Sequence, residues 1–252
     1  MTPFSIELNF HGDLPFFLRS KKPQIRRQLG ERTSVKDVIE ACGVPHTEVD
    51  LILIDGKPSG FEKVLTQDAV VDVHGIDSKR LTLFPENRLQ VGEIRKFVAD
   101  GHLGKLVRDF RLLGIDVVYD RDAEDRQLIA TATSQNRALL TRDRRLLMHA
   151  ALPHGYYLRS QNPLEQTVDV ICRFQLESTI TPFARCLRCN AALQPAAKEA
   201  VIERLEPLTK IYYEEFRRCP DCEQVYWSGS HFEKLQARIE EIRSRLASAT
   251  TR

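Results

Sequence analysis

Three aspartates, Asp100, Asp125 and Asp143, have the type and placing for hard-cation chemistry. Asp100 ends the apolar run Phe97-Val98-Ala99, and Asp143 closes the run that starts at Ala138-Leu139-Leu140-Thr141. Asp125 lies at the start of a helical pattern that continues through Arg126, Gln127, Leu128 and Ile129. Strand ends and first helical turns of an α/β sheet face the edge where such sheets bind ligands. The partial positive charge of helix N-termini favours anions there. Carboxylate oxygens brought together at that edge suit Mg²⁺ or Mn²⁺. Such ions activate water and stabilise both oxygens of an in-line displacement at a phosphodiester.

Two of the acids also have a plainer reading: Asp125 as a dipole-favoured first-turn residue, Asp143 as an N-cap. Their shared placing on equivalent ends of elements favours the functional one. Asp122 or Glu124 would supply a fourth acid. Lys105, Arg108, Arg142, Arg144 and Arg145 flank the acids, and guanidinium groups pair bidentately with phosphate. As solvated surface charge they need no function.

The four cysteines Cys186, Cys189, Cys219 and Cys222 form two C-x-x-C pairs. Two such pairs give four thiolates and a closed tetrahedral site, the pattern of structural zinc, with no open position for catalysis. A redox dithiol, the competing reading, needs only one pair. Cys42 and Cys172 stand alone among apolar residues and read as small core residues. His231 reads as a fold or RNA contact rather than a ligand. Tyr226 and Trp227 either stack on a base or pack in a core.

The elements that must position these residues alternate from Arg95 onward. The pattern predicts a strand to Ala99, a helix over Leu103–Leu113 stopped by Gly114, and a strand over Ile115–Tyr119. A helix over Glu124–Ser134, a strand over Ala138–Thr141, a helix over Arg144–Ala150 and a strand over Tyr156–Leu158 follow. Pro163 opens a helix that runs to about Leu176. Such alternation means a parallel sheet covered on both faces, an α/β domain placed at 93–178. The cysteine unit is placed at 179–252. It ends in a helix whose Phe232, Leu235, Ile239, Ile242 and Leu246 lie on one stripe, which packs on the parent domain or meets a partner.

Residues 1–84 read differently. Phe4–His11 alternates as a half-buried strand, and a second strand is expected through Phe16-Phe17-Leu18. The basic stretch Arg19–Arg32 is expected to be a solvated loop or an RNA-phosphate contact. Ser34 caps a helix over Val35–Cys42, and strands follow at Val49–Ile54 and Val70–Val73. Hairpin, helix and further strands make the order of a β-grasp, ubiquitin-like domain. Ser34–Glu40 and Asp55–Pro58 resemble its sulfur-carrier branch, which works through a free C-terminal Gly-Gly. Here the chain runs on through Phe84-Pro85-Glu86-Asn87, so binding or scaffolding is expected in place of sulfur transfer.

With 42% hydrophobic and 29% charged residues in 252, the chain is not wholly disordered. No apolar run approaches the ~20 residues of a membrane span. The first residues lack the basic and apolar regions of a secretory signal, so a cytoplasmic location without membrane partners is expected. There, paired cysteines favour metal over disulfides. The net charge is only +2, but residues 95–159 hold twelve Lys or Arg against eight Asp or Glu, while residues 1–80 hold eleven against twelve. The positive excess therefore surrounds the three acids, as a polyanionic substrate would require.

Phe97 through Leu106, Leu112 through Asp116, Asp125 through Ile129, Leu140 through Asp143, Arg185 through Asn190 and Tyr226 through His231 together resemble the Mut-seven C-terminal RNase domain family. That family is a PIN-like nuclease fold with an appended zinc ribbon, often fused to a ubiquitin-like module that residues 1–80 resemble. The resemblance implies a ribonuclease in which Asp100, Asp125 and Asp143 bind catalytic magnesium or manganese and the cysteines bind structural zinc. One departure bears on a second metal and on catalytic vigour. Many PIN nucleases carry a further acid just after the position of Asp143, where this chain has Arg144, Arg145 and Leu146. The expected substrate is RNA, of the tRNA or mRNA class, with the β-grasp module recruiting a protein partner or RNA. A non-catalytic RNA-binding or ribosome-associated adaptor is the alternative, and a partner-binding module is the third reading.

Overall fold

Alternating side chains make Phe4–His11 the first strand, β1, with Phe4, Ile6, Leu8 and Phe10 buried on one face. In the computed structural model, which describes residues 3–90 and 93–250, the chain divides into two units. One takes the chain up to Glu93 together with Ile129–Tyr157, and the other Ile94–Leu128 together with the chain from Leu158 onward.

In the first unit, β1 is followed by β2 (Gln24–Leu29), β3 (Thr33–Ser34), α1 (Val35–Ala41), β4 (Val49–Ile54), β5 (Lys57–Ser59), β6 (Val64–Leu65) and β7 (Ala69–Gly75). Five strands form a mixed sheet in the order β2-β1-β7-β4-β5, with β1 parallel to β7 and the other neighbours antiparallel. The short strands β3 and β6 pair separately. The Ser34 hydroxyl accepts the Asp37 N–H (3.1 Å) at the start of α1, whose Val35, Val38 and Ile39 meet Ile6, Leu8, Val71 and Val73 in one core.

Two expectations are corrected here. Leu14–Phe17 forms a 3₁₀ turn instead of a strand, because Pro15 presets first-turn geometry and has no N–H for a ladder. The basic stretch is not a loop throughout: its middle, Gln24–Leu29, is an edge strand, in register with β1 from Asn9↔Gln24 to Phe4↔Leu29, with turns and bends on either side. Only Ile25 and Leu29 give it an apolar side, and edge strands tolerate charge on the other. Arg27 donates to the Ala41 carbonyl (2.8 Å), and Arg26 lies 3.4 Å from Glu7.

Beyond Glu93 come β8 (Lys96–Ala99), α2 (Gly104–Leu112), β9 (Asp116–Tyr119), α3 (Asp125–Ser134), β10 (Ala138–Thr141), α4 (Arg144–Leu147), β11 (Gly155–Tyr157) and α5 (Pro163–Arg173). The strands pair in parallel, β8 with β9 in the second unit and β10 with β11 in the first. Helix α4 is shorter than expected, and Ala150 falls in the turn beyond it.

The second unit ends with β12 (Gln194–Ala196), α6 (Lys198–Val201), α7 (Pro207–Tyr212), β13 (Phe216–Arg218), β14 (Val225–Tyr226) and α8 (Ser230–Thr250). Strands β12, β13 and β14 make a small antiparallel sheet over Val201, Leu205, Phe216 and Val225. Ile239, Ile242 and Leu246 of the expected stripe are buried, and α8 packs on α5. Cys42 is buried, but Cys172 is exposed because the turn of α5 that buries Val170 and Ile171 carries it to the outer side. Among the described residues no helix is long and apolar enough to cross a membrane.

Candidate functional site

Asp100 stands directly after β8, whose Phe97, Val98 and Ala99 are buried. Its carbonyl accepts the Leu103 N–H (2.9 Å), opening a 3₁₀ turn that leads into α2. The half-buried carboxylate has Oδ2 3.3 Å from His102 Nδ1. Gly101 makes this turn fit: a Cβ there would lie 2.3 Å from the Arg121 carbonyl oxygen. The Tyr119 hydroxyl donates to the Gly101 carbonyl (2.6 Å), so the last residue of β9 steadies the backbone beside Asp100.

Asp125 lies exposed in the first turn of α3. That helix starts on a reciprocal cap, in which the Glu124 carbonyl accepts the Gln127 N–H (2.9 Å) and Gln127 Oε1 accepts the Glu124 N–H (2.8 Å). The Glu124 carboxylate pairs with Arg126 at 2.9 Å, and Asp120 Oδ1 accepts the Asp122 N–H at 3.0 Å. Asp143 is exposed and caps α4, with Oδ1 accepting the N–H groups of Arg145 (2.7 Å) and Leu146 (3.4 Å). Its own N–H donates to Thr141 Oγ1 (2.9 Å).

Lys105, Arg108 and Arg145 are exposed, and Arg142 is half-buried. Arg144 is engaged: it donates to the Phe17 carbonyl (2.9 Å), and its guanidinium lies 5.2–5.6 Å from the ring centres of Phe16, Phe17 and Tyr157. Within the unit that carries Asp100 and Asp125, no three carboxylates among the described residues bring oxygens within 4.8 Å of one another.

The cysteines do come together. One sulfur from each lies within 4.8 Å of all the others, and none is in a disulfide. The Cys186–Cys222 and Cys189–Cys219 sulfur separations are 3.5 and 3.3 Å. The two pairs repeat one local design. The N–H groups of Cys189 and Cys222 donate back to the sulfurs of Cys186 and Cys219, each at 3.5 Å. Asn190 and Glu223, each at positive φ, then turn the chain. Burial opposes ionisation of Cys186, but hydrogen bonds from the Tyr226 hydroxyl and from neighbouring backbone bring its thiol down to about 6. Burial pushes Cys189 up to about 12. A divalent cation is the partner that lets four crowded thiols ionise together, so this donor set fits a structural zinc.

Sequence reading missed the residues that fasten this cluster to α2 and β9. Arg111, only 6% exposed, donates to the carbonyls of Leu187 (3.2 Å), Arg188 (2.7 Å) and Val117 (3.4 Å). Asn190 accepts the Val117 N–H (3.1 Å) and donates to Asp116 (2.9 Å), which also pairs with Arg185 at 3.3 Å. Asp109, also 6% exposed, takes Arg238 of α8 bidentately (2.6 and 3.1 Å) and the Thr167 hydroxyl (3.2 Å). The only sequence signal was a cation inside the apolar run Phe110-Arg111-Leu112-Leu113.

In the first unit, His46 spans Glu40 (2.7 Å) and the Leu152 carbonyl (2.8 Å), and buried Glu48 accepts the Tyr157 N–H (2.6 Å). The fully buried Asp50 accepts the Gln90 N–H (2.7 Å) and pairs with Arg88. Trp227 is exposed, Tyr226 half-buried, and the side chain of His231 lies outside the described residues.

A family model described as the Mut7-C RNAse domain matches residues 95–239, and one described as Mut7-C ubiquitin matches residues 4–79. No curated protein and no solved structure matches the chain.

Proposed function

The chain belongs to the Mut7-C RNAse domain family, which implies a ribonuclease, and from that membership we propose a metal-dependent enzyme that hydrolyses RNA phosphodiester bonds. The observation that carries this reading is the extent of the family match, residues 95–239, which takes in Asp100, Asp125, Asp143 and all four cysteines. In this reading the three acids hold magnesium or manganese, for which hard carboxylate oxygens are apt donors. When bound, such an ion neutralises charge on the phosphodiester and acidifies water.

The protein's own side chains supply position. Gly101 and Tyr119 hold the Asp100 backbone, Thr141 and the cap of α4 hold Asp143, and the Gln127–Glu124 cap starts the helix bearing Asp125. Lys105, Arg108, Arg142 and Arg145 bind backbone phosphates. Arg144, already bonded to Phe17, acts through position more than through direct contact. The cysteines hold zinc as a structural element, and the ubiquitin-like module, residues 4–79, recruits a partner.

Labelled tRNA, mRNA and single-stranded RNA, incubated with the purified chain with and without Mn²⁺, test this directly. Asp100→Asn and Asp143→Asn are expected to slow cleavage by about 100-fold, a barrier increase of about 2.7 kcal/mol. Variants that cleave at the rate of an active wild type would remove the acids from the mechanism. The second reading, a non-catalytic RNA-binding adaptor, is favoured by the two arginines that follow Asp143. It predicts RNA bound but intact with either metal.

A further inference from the structure

A cavity of about 480 Å³ lies between the first turns of α2 and the two cysteine turns, lined among others by Arg108, Arg111, Arg188, Tyr119, Gln224 and Tyr226. We propose that it is a subsite for one nucleotide of an RNA strand, its phosphate held by Arg108 and Arg188 and its base laid against the Tyr226 ring. The proposal rests on the ribonuclease reading and extends it, placing part of the substrate path on the cysteine module.

Size and charge select the ligand. The volume falls in the range of about 300–1,000 Å³ usual for small-ligand sites. Three arginines line it and no carboxylate does. Arg108 and Arg188 are exposed and have no acidic partner among the described residues. Arg111 is 6% exposed, and although its terminal nitrogens serve backbone carbonyls, its Nε is buried without an acceptor. A buried donor lacking a partner is costly to leave unpaired, which favours an acceptor close to Arg111.

The aromatic groups are held ready for a flat ligand. The Tyr226 hydroxyl is tied to Cys186 Sγ (3.1 Å) and to the Leu187 N–H (3.0 Å), and that of Tyr119 to the Gly101 carbonyl. With their hydroxyls spent inside the protein, both rings are fixed without loss of entropy when a base stacks. Gln224 donates Nε2 to the Val225 carbonyl (3.2 Å), which leaves its side-chain oxygen as an acceptor for a base edge. Gly104 also lines the cavity and leaves room for the Tyr119 hydroxyl, since a Cβ there would lie 3.0 Å from the Tyr119 oxygen. Tyr119 touches Gly101, the residue next to Asp100, so a strand seated here continues toward that acid.

The test is fluorescence anisotropy of a short fluorescein-labelled single-stranded RNA with the full zinc-loaded chain, in an Asp143→Asn background with EDTA-free buffer lacking Mg²⁺ and Mn²⁺, so that the RNA stays intact during the measurement. Arg188→Ala is expected to weaken binding about tenfold and to lower the slope of log K against log salt by about 0.7, the share of one phosphate on a single strand. Arg245→Ala, an exposed arginine on α8, serves as the control and leaves both unchanged. RNA carrying 4-thiouridine is expected to cross-link to the peptide containing Tyr226 or Tyr119. Unchanged affinity and slope in Arg188→Ala, or cross-links mapping only outside residues 104–119 and 187–226, would overturn the subsite. Cleavage by the chain with intact acids is scored separately. Binding that depends on Arg188 without any cleavage keeps the subsite and removes the nuclease, whereas wild-type cleavage and binding by Arg188→Ala does the reverse.

Discussion

The cysteine module and the ubiquitin-like module are each fastened to neighbouring α/β elements, but by different physics. In one unit, Arg111, Arg185, Asp116 and Asn190 tie the cysteine turns to α2 and β9, and Asp109–Arg238 ties α8 to α2. Charge and hydrogen bonding are nearly enclosed there, and such networks fix one geometry and fail sharply when a member is lost. In the other unit, the ubiquitin-like module meets the segment around Asp143 through single bonds to backbone groups and through Arg144 among three aromatic rings. Ring contacts tolerate small slips that a bidentate pair does not. The cysteine turns are therefore tied closely to α2 and β9, while the contacts between the ubiquitin-like module and the segment around Asp143 are looser.

The contrast breaks most visibly at the cysteines. If the cysteines hold zinc as proposed, chelation removes an apparent binding energy of about 10 kcal/mol, and Cys219→Ser removes part of it. Hydrogen exchange is then expected to show lost protection across residues 185–226 and at Val117, whose N–H is bonded to Asn190, with β1 and β7 unchanged. Retained protection at Val117 would mean that the network stands without the metal.

Asp109→Ala is the next largest, at about 3 kcal/mol in urea unfolding, because it strips a buried carboxylate from Arg238 and Thr167. Acid separates the two regions in another way. Burial first, then the adjacent His11, holds His74 of the ubiquitin-like module down to about 4. The unfolded chain binds the proton that native His74 refuses, so stability falls as pH drops from 6.5 to 4 and levels off below. The loss is on the order of 3 kcal/mol. His74→Phe is expected to flatten this part of the pH–stability curve, and an unchanged slope would assign it to other groups. The smallest effect is Arg144→Ala, about 1–2 kcal/mol from the Phe17 bond and the ring contacts. A change in cleavage rate larger than this loss of stability explains would show that Arg144 reaches the substrate after all.

Much of the fold was legible because its signals are local. The 3.6-residue stripe of Leu106, Val107 and Phe110, the glycine stop at Gly114 and the apolar run Ala138–Thr141 each fix an element within a few residues. The strand β2 was not legible, since only Ile25 and Leu29 mark its inner side and its pairing with β1 lies across a turn. Leu14–Phe17 misled for the opposite reason: three large apolar residues outweighed the one proline that governs the backbone. Cys172 shows the same limit, because helix phase against the core, and not its apolar neighbours, decides whether it is buried.

By itself the sequence determined the chelating set, the acids at element ends and the β-grasp order, all of them patterns whose physics acts over a turn or a strand. Tertiary structure alone decided that Arg111 and Asn190 carry the cysteine turns, that Arg144 is bound within its own unit, and that three arginines and two tyrosines share a cavity. These pairings join residues far apart along the chain. A buried polar group finds its partner only once the apolar core has closed around both, so its identity is written in no local spacing.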